Sequence, residues 1–128
     1  MSSDKTILCV DDSEFAIKTL LRILSRHYVV LTASSGKQAI EMAASDRPDL
    51  ILLDIVMPGQ TGLEVCKTLK GNPGTMNIPV IFVTSVADAT TEEYGLQLGA
   101  ADYIKKPITP GVVLWRIKNA LNRYGECG

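Results

Sequence analysis

Histidine and tryptophan occur once each, as His27 and Trp115, and aromatic residues make up only 5% of the chain. Cysteine occurs three times, as Cys9, Cys66 and Cys127, far apart and odd in number. There is no CxxC pair and no Cys/His cluster, which argues against both a zinc site and a disulfide framework. The pattern reads as two buried thiols and one on a loose tail, in a reducing cytoplasm. His27 reads as a surface residue at a helix end. Charge of one sign is not in excess either: 13 Lys and Arg against 14 Asp and Glu leave −1. Nucleic acids and membrane surfaces usually demand a basic face, so this chain is expected to bind neither directly. No apolar run approaches the roughly 20 residues of a membrane span. The opening MSSDKTI lacks the basic and apolar regions of a signal peptide. A phosphate loop is missing too, because the Gly36–Lys37 pair would need a glycine at position 31, where Leu31 stands.

What is present is a regular alternation. Short apolar runs at Thr6–Val10, Val29–Ala33, Leu50–Leu53, Pro79–Val83 and Tyr103–Lys105 predict strands. Between and after them, helical spacing predicts helices over about 13–26, 37–45, 63–70, 90–98 and 110–124, the fourth with a weak pattern. Ser13 is placed to cap the first. In the last, Val113, Ile117, Ala120, Leu121 and Tyr124 form the inward stripe, and Trp115 falls about 160° away from Ile117, on the outer face. ILCV, LILL and VIFV are unbroken apolar runs, as befits strands buried on both faces. Alternating strands and helices predict an α/β domain with a parallel sheet between two helical layers. The 128 residues suffice for one domain, over 1–128, with a core at about 6–124 and a tail at 125–128.

Ligands of open parallel sheets bind beyond the carboxyl ends of the strands. There stand Asp11 and Asp12 after the first run, Ser34 and Ser35 after the second, Asp54 after the third, Thr84 and Ser85 after the fourth, and Lys106 before Pro107 after the fifth. If the first, third, fourth and fifth strands are neighbours, three carboxylates, a hydroxyl and an ammonium converge. Clustered carboxylates repel unless a cation joins them, and an oxygen-only ligand set suits Mg²⁺. Mg²⁺ held by few protein ligands is typical of phosphate chemistry, and a carboxylate can be the nucleophile. Asp54, alone on the central strand, is then the nucleophile. Asp11 and Asp12 form the metal cradle, and Thr84 and Lys106 steady the phosphoryl oxygens. Asp46, Asp49 and Asp102 precede strands and read as turn residues.

VDDSE, LLDIVMPGQTG, VIFVTS and ADYIKKP, in that order, resemble the receiver domain of bacterial two-component response regulators from about Ile7 to Arg123. The resemblance implies a flavodoxin-like (βα)5 doubly wound sandwich with sheet order 2-1-3-4-5. It implies that Asp54 takes a phosphoryl group from a sensor histidine kinase, and that Asp12 is the more direct Mg²⁺ ligand beside Asp11. Asp54 and the backbone carbonyl of Val56 complete the metal set. Thr84 and Tyr103 become the switch pair, Tyr103 filling the space Thr84 leaves, and Lys106 rather than Lys105 becomes the active-site lysine. Signals would then leave through the face of the fourth helix, fifth strand and fifth helix, toward a downstream effector or a second copy of the chain. Such a protein is a cytoplasmic phosphoprotein switch of a phosphorelay and not an enzyme, beyond phosphorylating itself from small donors and losing the group again.

Val56 and Val86, each two residues past a site residue, cannot orient a water, which predicts slow self-dephosphorylation. The ending PGVVLWRIKNAL resembles receivers that precede cyclic-dinucleotide enzymes. A phosphohydrolase of the haloacid dehalogenase type would need a D-x-D on the first strand and a cap insertion, both missing. A flavodoxin-like redox module would need a Ser/Thr-rich loop where DDSE stands.

Overall fold

A computed structural model describes residues 4–86 and 88–125, with side chains through Arg123. Five strands, β1 (Thr6–Val10), β2 (Val29–Ala33), β3 (Leu50–Leu53), β4 (Val80–Thr84) and β5 (Asp102–Lys105), alternate with helices α1 (Glu14–Leu24), α2 (Gly36–Asp46), α3 (Gly62–Lys70), α4 (Ala89–Gln97) and α5 (Pro110–Gly125). All strand pairs are parallel and the order is β2-β1-β3-β4-β5. This is the expected flavodoxin-like α/β sandwich.

The two-residue strand period divides the apolar runs between two cores. Leu8, Val10, Ile51, Leu53, Val80 and Phe82 face one side, against Ala39 and Ala43 of α2 and Val65, Cys66 and Leu69 of α3. Ile7, Cys9, Leu50, Leu52, Ile81 and Val83 face the other, against Leu20 and Leu24 of α1 and Val113, Ile117 and Ala120 of α5. The central strands need apolar residues at every position because both faces are covered. Each fully buried Leu or Ile contributes about 1.5–3 kcal/mol by leaving water.

Several boundaries differ from expectation, for local reasons. The first helix stops at Leu24 rather than near Arg26, because the N–H groups of His27 and Tyr28 both turn back to the Leu24 carbonyl. The second starts at Gly36, with Ser35 as its cap accepting from the Gln38 N–H. It ends at Asp46, with Arg47 as its cap, whose φ of 46° puts a non-glycine residue in the left-handed region. β4 begins after Pro79 and includes Thr84. The start of α4 is fixed by Asp88, whose carboxylate accepts from the Thr91 N–H at 2.7 Å. α4 buries one residue, Gly95, so its weak sequence pattern reflects a real lack of apolar anchors.

Asp49 is a loop residue as expected, and it accepts from the Thr6 N–H at 2.7 Å. Asp102 corrects expectation: it is the first residue of β5, and its carboxylate forms an ion pair with Arg116 of α5 at 3.0 Å. Cys9 and Cys66 are buried, and burial pushes the Cys9 thiol up to about 12, leaving it inert. Cys127 and the side chain of Tyr124 lie outside what the structure describes. Trp115 is 60% exposed, on the outer face where helical spacing puts it.

Candidate phosphoryl-acceptor and metal site

The sheet order brings together the ends of β1, β3, β4 and β5. Main-chain bonds carry the ladder just past the strands: the Asp11 N–H donates to the Ala33 carbonyl at 3.1 Å and the Asp54 N–H to the Val10 carbonyl at 3.0 Å. Both acids therefore sit on rigid backbone, and both are buried. Asp12, the next residue, turns outward and is exposed. Carboxylate oxygens of Asp11, Asp12 and Asp54 lie within 4.8 Å of one another.

Lys106 reaches this cluster from the end of β5. Its own N–H donates to the Thr84 carbonyl at 2.9 Å, fixing where the side chain starts. Its Nζ stands 2.8 Å from Asp11 Oδ2 and 3.5 Å from Asp54 Oδ2. Lys105 is exposed on the strand and makes no such contact among the described residues. Asp11 Oδ1 accepts from the Ser13 N–H at 3.0 Å, and Asp54 Oδ1 from the Val56 N–H at 3.3 Å. Ser13 also caps α1, its hydroxyl accepting from the Ala16 N–H, so neither acid is needed for that work.

The electrostatics are strained. Burial and the Asp11 charge push the Asp54 carboxyl above its ordinary range, while Lys106, the Thr84 hydroxyl and the Val56 N–H only partly oppose them. For Lys106 burial pulls the ammonium down. The hydrogen bond to Asp11 and the charges of Asp54 and Asp11 outweigh it, so its affinity for a proton rises overall. One lysine thus serves two buried carboxylates, with a third carboxylate, Asp12, at the rim. These residues fit a hard divalent cation: the ligand set is all oxygen, the site opens to water at Asp12, and the pocket holds more negative than positive charge.

Thr84 is buried, and its Oγ1 accepts from the Val86 N–H at 3.3 Å. Tyr103 is also buried, its ring 6.2 Å from that of Phe82. Its hydroxyl donates to the Val86 carbonyl at 2.5 Å. Thr84 and Tyr103 are therefore joined through the main chain of one residue, which sequence reading associated only with a side chain near the site. A main-chain acceptor leaves no signal in residue type. Tyr103 already stands inside, the position that the sequence expectation gives it after Thr84 has moved.

Gly62, at the start of α3, is a second feature the sequence did not disclose. Its N–H donates to the Ile55 carbonyl at 2.8 Å, closing the loop that follows Asp54. Beyond the site, α4, β5 and α5 form a groove of about 310 Å³ with Glu92, Tyr103, Lys105, Val112 and Arg116 among its walls.

Comparison with known proteins agrees with this geometry. A family model described as the response regulator receiver domain matches residues 7–118. A "Probable cyclic di-GMP phosphodiesterase" of Vibrio cholerae is 43% identical over 119 residues, covering 93% of this chain and 27% of that protein. The "Alkaline phosphatase synthesis transcriptional regulatory protein PhoP" of Bacillus subtilis is 40% identical over 121 residues, covering 94% of this chain and 50% of that protein. The chain therefore spans between a quarter and a half of these relatives. Among solved structures, a CheY-like response regulator receiver domain protein of Methanospirillum hungatei superposes with a TM-score of 0.92 at 28% identity, covering 98% of this chain and all of that one. A response regulator of Chloroflexus aurantiacus gives 0.89 at 31% identity, covering 94% and 99%. Strand order, the acidic cluster and the matched span agree, and the chain belongs to the response regulator receiver domain family.

Proposed function

We propose that this chain is a phosphorylation-dependent switch that accepts a phosphoryl group on Asp54 from a sensor histidine kinase. The observation that carries the reading is a buried carboxylate on a rigid strand end, faced by Lys106 Nζ at 3.5 Å and by two further acids. An Asp54 oxygen attacks the phosphorus of a phosphohistidine. The P–N bond breaks, the imidazole nitrogen leaves with its electron pair and takes up a proton, and an acyl phosphate forms on Asp54. Lys106 and the Thr84 hydroxyl bind phosphoryl oxygens and hold the charge that develops on them. Mg²⁺, when bound by Asp11, Asp12, Asp54 and the Val56 carbonyl, supplies further positive charge at the phosphoryl oxygens.

Thr84 and Tyr103 share Val86, so a pull on Thr84 reaches the α4–β5–α5 face. Its two helices expose Leu96, Val112 and Trp115, and the face is the proposed contact for an effector or a second copy. The chain is read as one receiver unit over 1–128, acting in the cytoplasm as a regulatory phosphoacceptor and not as a catalyst on other molecules. Incubation with a small phosphodonor and Mg²⁺, followed by intact mass, tests the reading: one added phosphoryl group is expected, and no gain with any donor or kinase rejects it.

Two variants probe the parts. Asp12→Asn is expected to weaken Mg²⁺ binding and slow phosphorylation together. Because Asp12 is exposed and repels its neighbours, the melting temperature should hold or rise. Calorimetric Mg²⁺ titration with a parallel melt checks both. Val86→Gln is expected to shorten the lifetime of the acyl phosphate, since an amide there can orient the attacking water and valine cannot. An unchanged or longer lifetime by phosphate release would count against this.

A further inference from the structure

We propose that Gly62 is a positioning residue for phosphoryl acceptance: its bare Cα lets α3 close against the Asp54–Ile55 backbone and so fixes the loop carrying Val56. This rests on the reading of Asp54 as the acceptor. A Cβ at position 62 would lie 2.1 Å from the Asp54 carbonyl oxygen, 2.8 Å from Ile55 Cα and 2.9 Å from the Asp54 carbonyl carbon. All three are backbone atoms at the end of a central strand that Asp54 itself ties to Val10. They cannot swing aside as a side chain can. Gly36 offers the contrast, for the atoms closest to its Cβ position belong to the side chains of Gln60 and Val65.

Backbone freedom does not explain this glycine. Gly59 and Gly99 have positive φ and Gly62 does not. At the first position of a helix, alanine has the better intrinsic propensity. Only the close approach accounts for glycine here.

The consequence runs along the loop. The Gly62 N–H to Ile55 carbonyl bond closes residues 56–61 on themselves. Within that closure Ile55 and Met57 are buried and Val56 stands out between them, 57% exposed. Its N–H donates to Asp54 Oδ1. The Thr61–Glu64 capping box holds the far end. A side chain at 62 therefore has to move Asp54's own carbonyl, the Val56 N–H or the helix start. Each displacement disturbs the nucleophile or the proposed metal carbonyl.

The test compares wild type, Gly62→Ala and Val113→Ala, the last a buried α5 residue in the core on the other side of the sheet that serves as a stability control. Mg²⁺ affinity is read by amide NMR titration without phosphodonor, phosphorylation rate with phosphoramidate, and stability by melting. Gly62→Ala is expected to weaken Mg²⁺ about tenfold or more and to slow phosphorylation roughly 100-fold. Val113→Ala is expected to melt earlier with both unchanged. Wild-type affinity and rate in Gly62→Ala, at any melting temperature, would overturn the proposal. If wild type takes up no phosphoryl group, the acceptor reading fails, and the Mg²⁺ arm still decides whether Gly62 positions the loop. If Gly62→Ala does not fold, wild-type hydrogen exchange decides. The Gly62 amide should exchange as slowly as strand amides of Leu52 and Leu53, and exchange at the rate of open loop amides would overturn the claim.

Discussion

Asp54→Asn is expected to abolish phosphoryl uptake, with no mass gain under conditions that convert wild type fully. The amide oxygen is a poor nucleophile, and no second carboxylate takes its place. Asp11 is held by Lys106 and the Ser13 N–H, and Asp12 faces solvent. The same substitution should stabilise the metal-free fold at neutral pH. The folded-state pKa of Asp54 is raised above the unfolded value near 3.8. Between those two values Asp54 holds more proton in the native state than in the unfolded chain, so its own contribution to stability falls as pH rises through that window. Asn removes this contribution, so the advantage of the variant over wild type grows as pH rises. Metal-free melts of wild type and Asp54→Asn from pH 4 to 8 (about the range in which carboxyls with raised pKa titrate) check this, and a difference between the two that does not widen with pH would contradict it.

Lys106→Ala is expected to have the next largest effect, and on two observables. Its ammonium is shared between Asp11 and Asp54, at 2.8 and 3.5 Å. Truncation leaves both buried acids without their cation. Breaking a buried pair from one side typically costs about 3–5 kcal/mol. Here water can enter as the lysine leaves, because its side chain is 26% exposed, so a loss of roughly 2 kcal/mol is expected in metal-free denaturant unfolding. Mg²⁺ should recover much of it. The pair's contribution is present below the unfolded lysine value of 10.5 and is lost only as pH rises through the higher folded value, so it operates throughout neutrality. Phosphorylation should slow about 100-fold or more, as when one preorganised donor to a developing negative charge is removed. Equal rates in Lys106→Ala and wild type would remove Lys106 from the proposed machinery.

How much of this was legible in the residues depends on what each feature depends on. β2 and β3 were read to the residue, because their apolar runs are bounded by polar and proline residues that the local chain dictates. The strand-end residues Asp11, Asp12, Asp54, Thr84 and Lys106 were also legible, since a parallel sheet puts such residues at one edge. β4 shifted because Pro79 has no N–H to give the ladder, whereas Thr84 still pairs with Lys105. Asp102 was misjudged as a turn residue because its reason for being acidic is Arg116, on another element. The Val86 carbonyl and the Gly62 contact escaped for a related cause: the group met in each case is main chain, the Val86 carbonyl for Tyr103 and the Asp54–Ile55 backbone for Gly62, and which backbone a residue meets is set by three-dimensional packing.

α4 is attached to the sheet through a glycine. Where a Leu or Ile would form a deep apolar anchor, Gly95 lies flat on the Phe82 ring, so close that a Cβ would stand 2.9 Å from Cε2. A contact of that kind fixes distance and resists sliding very little. Helices held by few buried side chains belong to the low end of a protein's range of local opening free energies. The proposed acceptor thus follows a strand buried at every position, and the proposed reading face includes the helix with the fewest buried residues of the five. Compliance of this sort has an energetic meaning for the proposed switch: a pull on Thr84 would have to displace one lightly seated helix, and the two cores on either side of the sheet could stay as they are.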